Sequence, residues 1–250
     1  MADEHARERS ARAHRRHPRH ASRMHDDEDD DVTGSARDFL PARLSLTALR
    51  AAADGCHGCP LYRNATQTVF GAGPTSARLI LVGEQPGNDE DIAGAPFVGP
   101  AGRVLDQALE QAGIARDDAY VTNVVKHFKW ERRGNRRLHK KPSAREVGAC
   151  LPWLEKEIEL IRPQVLVCLG ATAAQALLGR SFKVTQQRGV LLPDERVPHV
   201  LATVHPSSIL RQRTSADRRT EMARFTADLE VVADALNQRR EAGRRSAAAR

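Results

Sequence analysis

"RLILVGEQPG", residues 78–87, sets an uninterrupted apolar run directly against a glycine- and proline-rich turn that carries a glutamate and a glutamine. A run this continuously apolar suits a strand buried on both faces, the signature of a parallel sheet. Three more runs read the same way: "AYVTNVV" (119–125), "QVLVCLG" (164–170) and "HVLATV" (199–204). Helical patterns alternate with them. "AGRVLDQALEQAG" (101–113) gathers Val104, Leu105, Ala108 and Leu109 on one face and ends in glycine. "SAREVGACLPWLEKEIELI" (143–161) opens with a serine followed three residues on by a glutamate, a capping box. Helical stretches at 171–179 and 215–237 complete an α/β sandwich around a four-stranded parallel sheet.

Ligand sites in such sheets lie at the carboxyl ends of the strands. Three of the four runs lead into unusual polar residues there. Glu84 and Gln85 sit in the first turn, Asn123 lies within the second strand, and His205 opens "HPSSILR" (205–211) after the fourth. An amide in an apolar strand needs a partner, either nearby backbone or, since it offers a donor beside an acceptor, the complementary edge of a nucleobase. Phe97, in "GAPFVGPAGR" (94–103), is either a core plug or a flat ring for stacking on a planar ligand. Pro206, Ser207 and Ser208 suit the first turn of a helix, which puts His205 at a strand-to-helix junction suited to stabilising a developing anion.

The 250 residues, 40% of them hydrophobic, suffice for one domain with a full core. A formal net charge of +7 favours an anionic partner, nucleic acid first. The arrangement expected is a charged, disordered tail over 1–38 that includes "DDEDDD" (26–31), a domain over 39–237, and a basic tail over 238–250. Without a membrane-length apolar run or a signal-peptide pattern, a cytoplasmic protein is expected.

The cysteines are Cys56, Cys59, Cys150 and Cys168. "CHGC" (56–59) spaces two sulfurs for one metal, and Cys150 and Cys168 can join them only through the fold. Four thiolates fit tetrahedral zinc or an iron–sulfur cluster equally, and Cys168 read alone could be a plain core thiol.

"GNRRLHKKPS" (134–143) places His139 among Arg136, Arg137, Lys140 and Lys141 on a segment with neither helical nor strand periodicity. Neighbouring cations would hold the imidazole neutral near pH 7, fit to act as nucleophile, base or metal ligand.

Taken together, "GEQPGNDEDIAGAPFVGPAGR", "YVTNVVKHFK", "CLGATAAQALLG", "TVHPSSILR" and the four cysteines resemble the iron–sulfur uracil-DNA glycosylases called family four, over about residues 45–232. Gln85 and the basic loop ending "RRLH" are similar to one branch, the UdgX type. The resemblance implies a three-layer α/β/α sandwich, a four-iron four-sulfur cluster on Cys56, Cys59, Cys150 and Cys168, and uracil-containing DNA, single-stranded or double-stranded, as partner of a monomer. It implies that Phe97 stacks on flipped-out uracil, that Asn123 reads its pairing edge and that His205 supports the charge left on it. Arg211 would enter the DNA, Glu84 and Gln85 would lie near the sugar, and Arg136, Arg137, Lys140 and Ser207 would hold phosphates. In the UdgX type the histidine matching His139 attacks the sugar C1′ and stays attached, with Glu84 placed to orient its ring or accept its proton. The competing expectations are a conventional multiple-turnover glycosylase and a non-catalytic single-stranded DNA-binding protein.

Overall fold

Every residue of the four apolar runs that pairs into the sheet is buried, apart from the half-buried His199 at one end. The computed structural model describes residues 34–248, with side chains to residue 238. Most of the expected N-terminal tail lies outside the described residues; the last helix, Ser215–Ala248, runs on through most of the expected C-terminal tail, of which the side chains beyond residue 238 are not described. Four strands, β1 (Leu79–Gly83), β2 (Ala119–Asn123), β5 (Val165–Leu169) and β6 (His199–Thr203), form a parallel sheet in the order β2-β1-β5-β6. The second strand ends at Asn123, two residues earlier than its apolar run suggests, because Val124 and Val125 turn to donate to the carbonyls of Gly83 and Glu84.

Side-chain alternation splits the core into two layers. Ile80, Val82, Tyr120, Leu166, Cys168 and Ala202 face one side, and Leu79, Leu81, Val121, Val167 and Leu201 face the other. The first layer is covered by α1 (Leu46–Ala53), α4 (Ala144–Ile161) and α5 (Ala171–Leu178). The second is covered by α3 (Pro100–Gln111), α7 (Pro206–Leu210) and α8 (Ser215–Ala248). The result is the three-layer α/β/α sandwich. Short helices α2 (Asn88–Ala93) and α6 (Val184–Gln187) lie in the connections. The capping box of α4 forms as its sequence requires: Ser143 Oγ accepts from the Glu146 amide, and Glu146 Oε2 accepts from the Ser143 amide at 2.6 Å.

Two local features depart from the sequence reading. The basic segment is a β-hairpin, β3 (Trp130–Arg133) paired antiparallel with β4 (Arg136–His139) and closed by Gly134 and Asn135, with Gly134 at φ 60°. Strands of four residues with mostly exposed cations carry no apolar alternation, so periodicity could not reveal them. At the N-terminal side, Ala36–Phe39 form a 3-10 turn capped by Ser35, so the boundary drawn at residue 38 falls inside packed structure. Ala36 is buried against the core.

The chain leaves β1 toward β2 on one side and later returns as β5 on the other. A crevice at the carboxyl ends of β1 and β5 follows from that reversal.

Candidate functional site

The crevice is a cavity of about 800 Å³, and all four strands of the sheet contribute to its lining: Glu84 after β1, Asn123 at the end of β2, Thr172 after β5 and His205 after β6. Phe97 forms one wall. Its backbone is left-handed, φ 56°, a conformation that costs a bulky residue and must be enforced by its surroundings. Glu90 enforces it by accepting from the amides of Gly87 at 3.0 Å and Gly99 at 2.8 Å, which fixes both ends of the loop. Gly102 leaves room for the loop, since a Cβ there would come within 1.8 Å of the Phe97 carbonyl oxygen. Gly83 leaves room for the ring: a Cβ would stand 2.7 Å from Phe97 Cζ and 2.3 Å from Asn123 Oδ1.

Asn123 was expected either to bond nearby backbone or to offer its amide to a nucleobase edge, and its Oδ1 has no partner within the fold. Only 2% of the residue is exposed, and Oδ1 is buried without a hydrogen bond. A buried acceptor left open at the wall of a cavity is suited to a ligand donor. Across the cavity, His205 lies with its ring centroid 5.9 Å from that of Phe97, tilted by 30°. Its Nδ1 accepts from the Ser207 amide at 3.2 Å and lies 2.8 Å from Ser207 Oγ, so the ring proton sits on Nε2. Burial, reinforced by Arg211 and His139, lowers the His205 pKa to about 4. A neutral N–H donor is therefore available throughout the physiological range.

Gln85 organises the other wall. Its Oε1 accepts from the Lys129 amide at 2.9 Å, which fixes the orientation of the carboxamide. Nε2, whose two protons are shared among three acceptors, reaches the Lys140 carbonyl at 3.0 Å and the Lys129 carbonyl at 3.2 Å, tying both ends of the hairpin to the end of β1. It also lies 2.9 Å from His139 Nε2, which must accept, leaving the ring proton on Nδ1. The Glu84 carboxylate presents Oε1 at 3.5 Å from the same nitrogen, while its Oε2 is held by the Thr172 hydroxyl across the β1/β5 crevice. The His139 pKa is lowered, as expected, but for another reason. Burial is the main cause, Glu84 opposes it, and the contributing cation is Arg211 rather than the hairpin residues.

Arg137 shows why the hairpin cations do not act on His139. Its guanidinium donates to Asp91 Oδ2 at 2.6 Å, Asn88 Oδ1 at 2.9 Å and Thr66 Oγ1 at 3.0 Å. It also lies 5.5 Å from the ring centroids of both Phe128 and Trp130. Arg137, expected to hold phosphate, is thus spent on clamping the hairpin. Arg136 points to the opposite hairpin face from His139 and is exposed, whereas Lys141, the last of the four cations named around His139, lines the cavity. Ser207 and Arg211 line it too, joined by a 2.8 Å bond from Arg211 Nη1 to Ser207 Oγ.

The four cysteines are buried free thiols in one core layer. Their sulfurs attract donors: Trp153 Nε1 to Cys56 at 3.4 Å, the Lys126 amide to Cys150 at 3.2 Å, and the Leu61 amide to Cys59. Burial raises the thiol pKa of Cys59 to about 11 and of Cys150 to about 12, and neighbouring cysteines add to both. Burial likewise raises Cys168 to about 12, but Arg196 and Asp194 are the charges it senses. Among the described residues, no group of three or more His, Cys, Asp or Glu side chains is gathered tightly enough to hold a metal ion. Sulfur donors of this kind suit a soft metal by their chemistry, and Cys56, Cys59 and Cys150 have the N–H partners such ligands use, whereas Cys168 senses no other cysteine.

Residues 70–230 match the Uracil DNA glycosylase superfamily. The chain belongs to that superfamily. Its homologues include the type-4 uracil-DNA glycosylase of Thermotoga maritima, 41% identical over 165 residues that cover 66% of this chain and 82% of that protein. The type-4 enzyme of Archaeoglobus fulgidus is 38% identical over 162 residues, 62% of this chain and 78% of its own. A type-5 uracil-DNA glycosylase of Thermus thermophilus is 32% identical over 171 residues, 61% and 73% of the two chains.

Thr172, Glu90 and Gly83 escaped the sequence reading. The threonine follows the glycine that ends a strand run, a signal that acquires meaning only once β5 is known to lie beside β1. Replacing Arg137 with alanine should leave the sheet intact and release the hairpin. Hydrogen exchange of the 130–139 amides should quicken at least tenfold while β1 and β5 keep their protection; unchanged exchange in the hairpin would refute the clamp.

Proposed function

We propose that this protein excises uracil from DNA and remains covalently attached to the deoxyribose C1′ through His139, as a glycosylase of the UdgX type. The observation that supports this most is a neutral imidazole whose Nε2 lone pair sits at the cavity wall, between the Gln85 amide and the Glu84 carboxylate. Uracil turned out of the DNA stacks on Phe97, and its N3–H donates to the open Oδ1 of Asn123. Cytosine, which presents an acceptor at N3, leaves that oxygen unmatched. The bond from C1′ to uracil N1 breaks, its electron pair leaves with the base, and His205 Nε2–H stabilises the anion. The positive charge left on the sugar is quenched by the His139 Nε2 lone pair, which gives up its hydrogen bond from Gln85 to form the new C1′–N bond. Bond formation makes the imidazole cationic, 3.5 Å from Glu84 Oε1, whose charge stabilises it. Loss of a ring proton and protonation of uracil balance the reaction.

In the same reading Cys56 and Cys59 in the loop after α1, Cys150 on α4 and Cys168 in β5 would hold a 4Fe–4S cluster, whose role would be to brace these three segments. Arg136, Lys140, Lys141 and Ser207 contact the phosphates, and Arg211 fills the space vacated in the DNA. Single-stranded uracil DNA is the expected partner of a monomeric, cytoplasmic protein. Among the described residues no helix is long and apolar enough to cross a membrane.

A denaturing gel of the protein with uracil-containing single-stranded DNA should show a heat- and detergent-resistant band. The band should be absent with thymine DNA and with His139→Gln. Free abasic DNA accumulating over many turnovers, with no such band, would make this a conventional glycosylase. Because both site histidines hold lowered pKa values, adduct formation should persist below the ordinary histidine pKa of about 6.5; an acid limb centred at or above 6.5 would contradict the neutral-ring mechanism. Cys168→Ala should lose iron and the visible absorbance of the purified protein, and an iron-replete variant would remove Cys168 from the ligand set.

A further inference from the structure

A buried ion pair that the reaction does not use lies directly behind Asn123. Lys126 is 1% exposed at its side chain and Glu157, on α4, is 0% exposed, with 2.6 Å between Nζ and Oε2. Burying two charges is costly, so such a pair persists only where geometry satisfies it fully. Here all three ammonium protons are placed: on Glu157 Oε2, on Thr122 Oγ1 at 2.7 Å and on the main-chain carbonyl of Asn123 at 2.8 Å. The face of Phe70 lies 5.2 Å away. Glu157 Oε1 accepts from Tyr120 OH at 2.8 Å, the Gly71 amide at 3.2 Å and Thr122 Oγ1 at 3.1 Å.

The placement matters because the reading group of Asn123 has no anchor of its own. Its Oδ1 makes no hydrogen bond in the protein, so its direction is set by the position of its backbone and by the walls of Gly83 and Phe97. The strand ladder does not hold the Asn123 carbonyl, and the chain turns away immediately afterwards. Lys126 supplies the missing constraint. Its ammonium holds the carbonyl, its amide donates to Cys150 Sγ at 3.2 Å, and its own carbonyl accepts from the Val69 amide at 2.8 Å. Cys150 and Glu157 are seven residues apart on α4, two helical turns, so one helix face grips Lys126 at both its backbone and its side chain.

We propose that the Lys126–Glu157 pair is a positioning device for base recognition, fixing the backbone of Asn123 so that its open oxygen meets uracil. This rests on Asn123 reading uracil in the proposed function. The pair touches no reacting atom and acts only through Asn123.

The test is a mutant cycle in the full-length protein, read as inhibition by free uracil and as the rate of uracil release from single-stranded DNA under single-turnover conditions. Lys126→Met combined with Glu157→Gln removes both charges together, which avoids leaving one buried and unpaired. We expect the double variant to bind uracil about tenfold more weakly and to release it about tenfold more slowly. In an Asn123→Ala background the same pair of substitutions should add less than a twofold further loss, since nothing remains to be aimed. Equal losses in both backgrounds would mean a merely structural role, and no loss in the wild-type background would also overturn the proposal. Should the double variant fail to fold, Thr122→Val removes one acceptor of the ammonium and is read in the same cycle, with an expected loss of about threefold confined to the Asn123 background. A parent protein that neither binds nor releases uracil would instead refute the proposed function, before any variant is compared.

Discussion

The carboxamide of Gln85 joins two parts of the molecule that the chain builds separately. The sheet supplies a rigid edge, and the hairpin supplies a histidine from an exposed two-stranded ribbon, which is marginal by itself. By bonding the Lys129 amide, the Lys129 carbonyl and the Lys140 carbonyl, Gln85 behaves like a piece of a third strand inserted between the hairpin's ends. Its amide also faces His139 Nε2, so the group that positions the hairpin selects the tautomer of the ring. Arg137 adds the second anchor through Asp91, whose side chain is fully buried. With both anchors made, His139 is held by backbone geometry instead of by its own half-exposed side chain.

The remainder of the site is assembled from costs accepted in advance of ligand. Phe97 has a left-handed backbone, and Asn123 keeps a buried oxygen unpaired, which costs about 1–3 kcal/mol in an ordinary core. Both are tolerated because glycines at 83 and 102 leave space where any side chain would collide, and because Glu90 bonds both flanks of the Phe97 loop. In the proposed function, a base that supplies the missing donor recovers the hydrogen bond without requiring the protein to rearrange. Preorganisation of this kind makes selectivity a matter of which base satisfies the wall.

The sheet was legible because its strands are buried on both faces and therefore continuously apolar, and the positions of Glu84, Asn123 and His205 at their carboxyl ends followed from topology. The hairpin was not legible, since four-residue strands rich in arginine carry no pattern of burial. The same blindness misassigned the electrostatics. Sequence proximity suggested that Arg136, Arg137, Lys140 and Lys141 depress the His139 pKa, whereas Arg137 is consumed by Asp91 and the effective cation, Arg211, lies more than seventy residues away in the chain. Asn123 stood out in the sequence as a polar residue in an apolar strand. Its lack of a partner could emerge only from the packed site, as could the contact of Thr172 with Glu84.

The most direct measurement is the mass of the protein after reaction with excess short uracil-containing single-stranded DNA, followed by nuclease trimming and peptide mapping, with released uracil counted in the same sample. The account predicts one trimmed deoxyribose adduct per protein, located on the peptide that contains His139, and one equivalent of uracil. Unmodified protein beside many equivalents of uracil, or an adduct on any other residue, would contradict it.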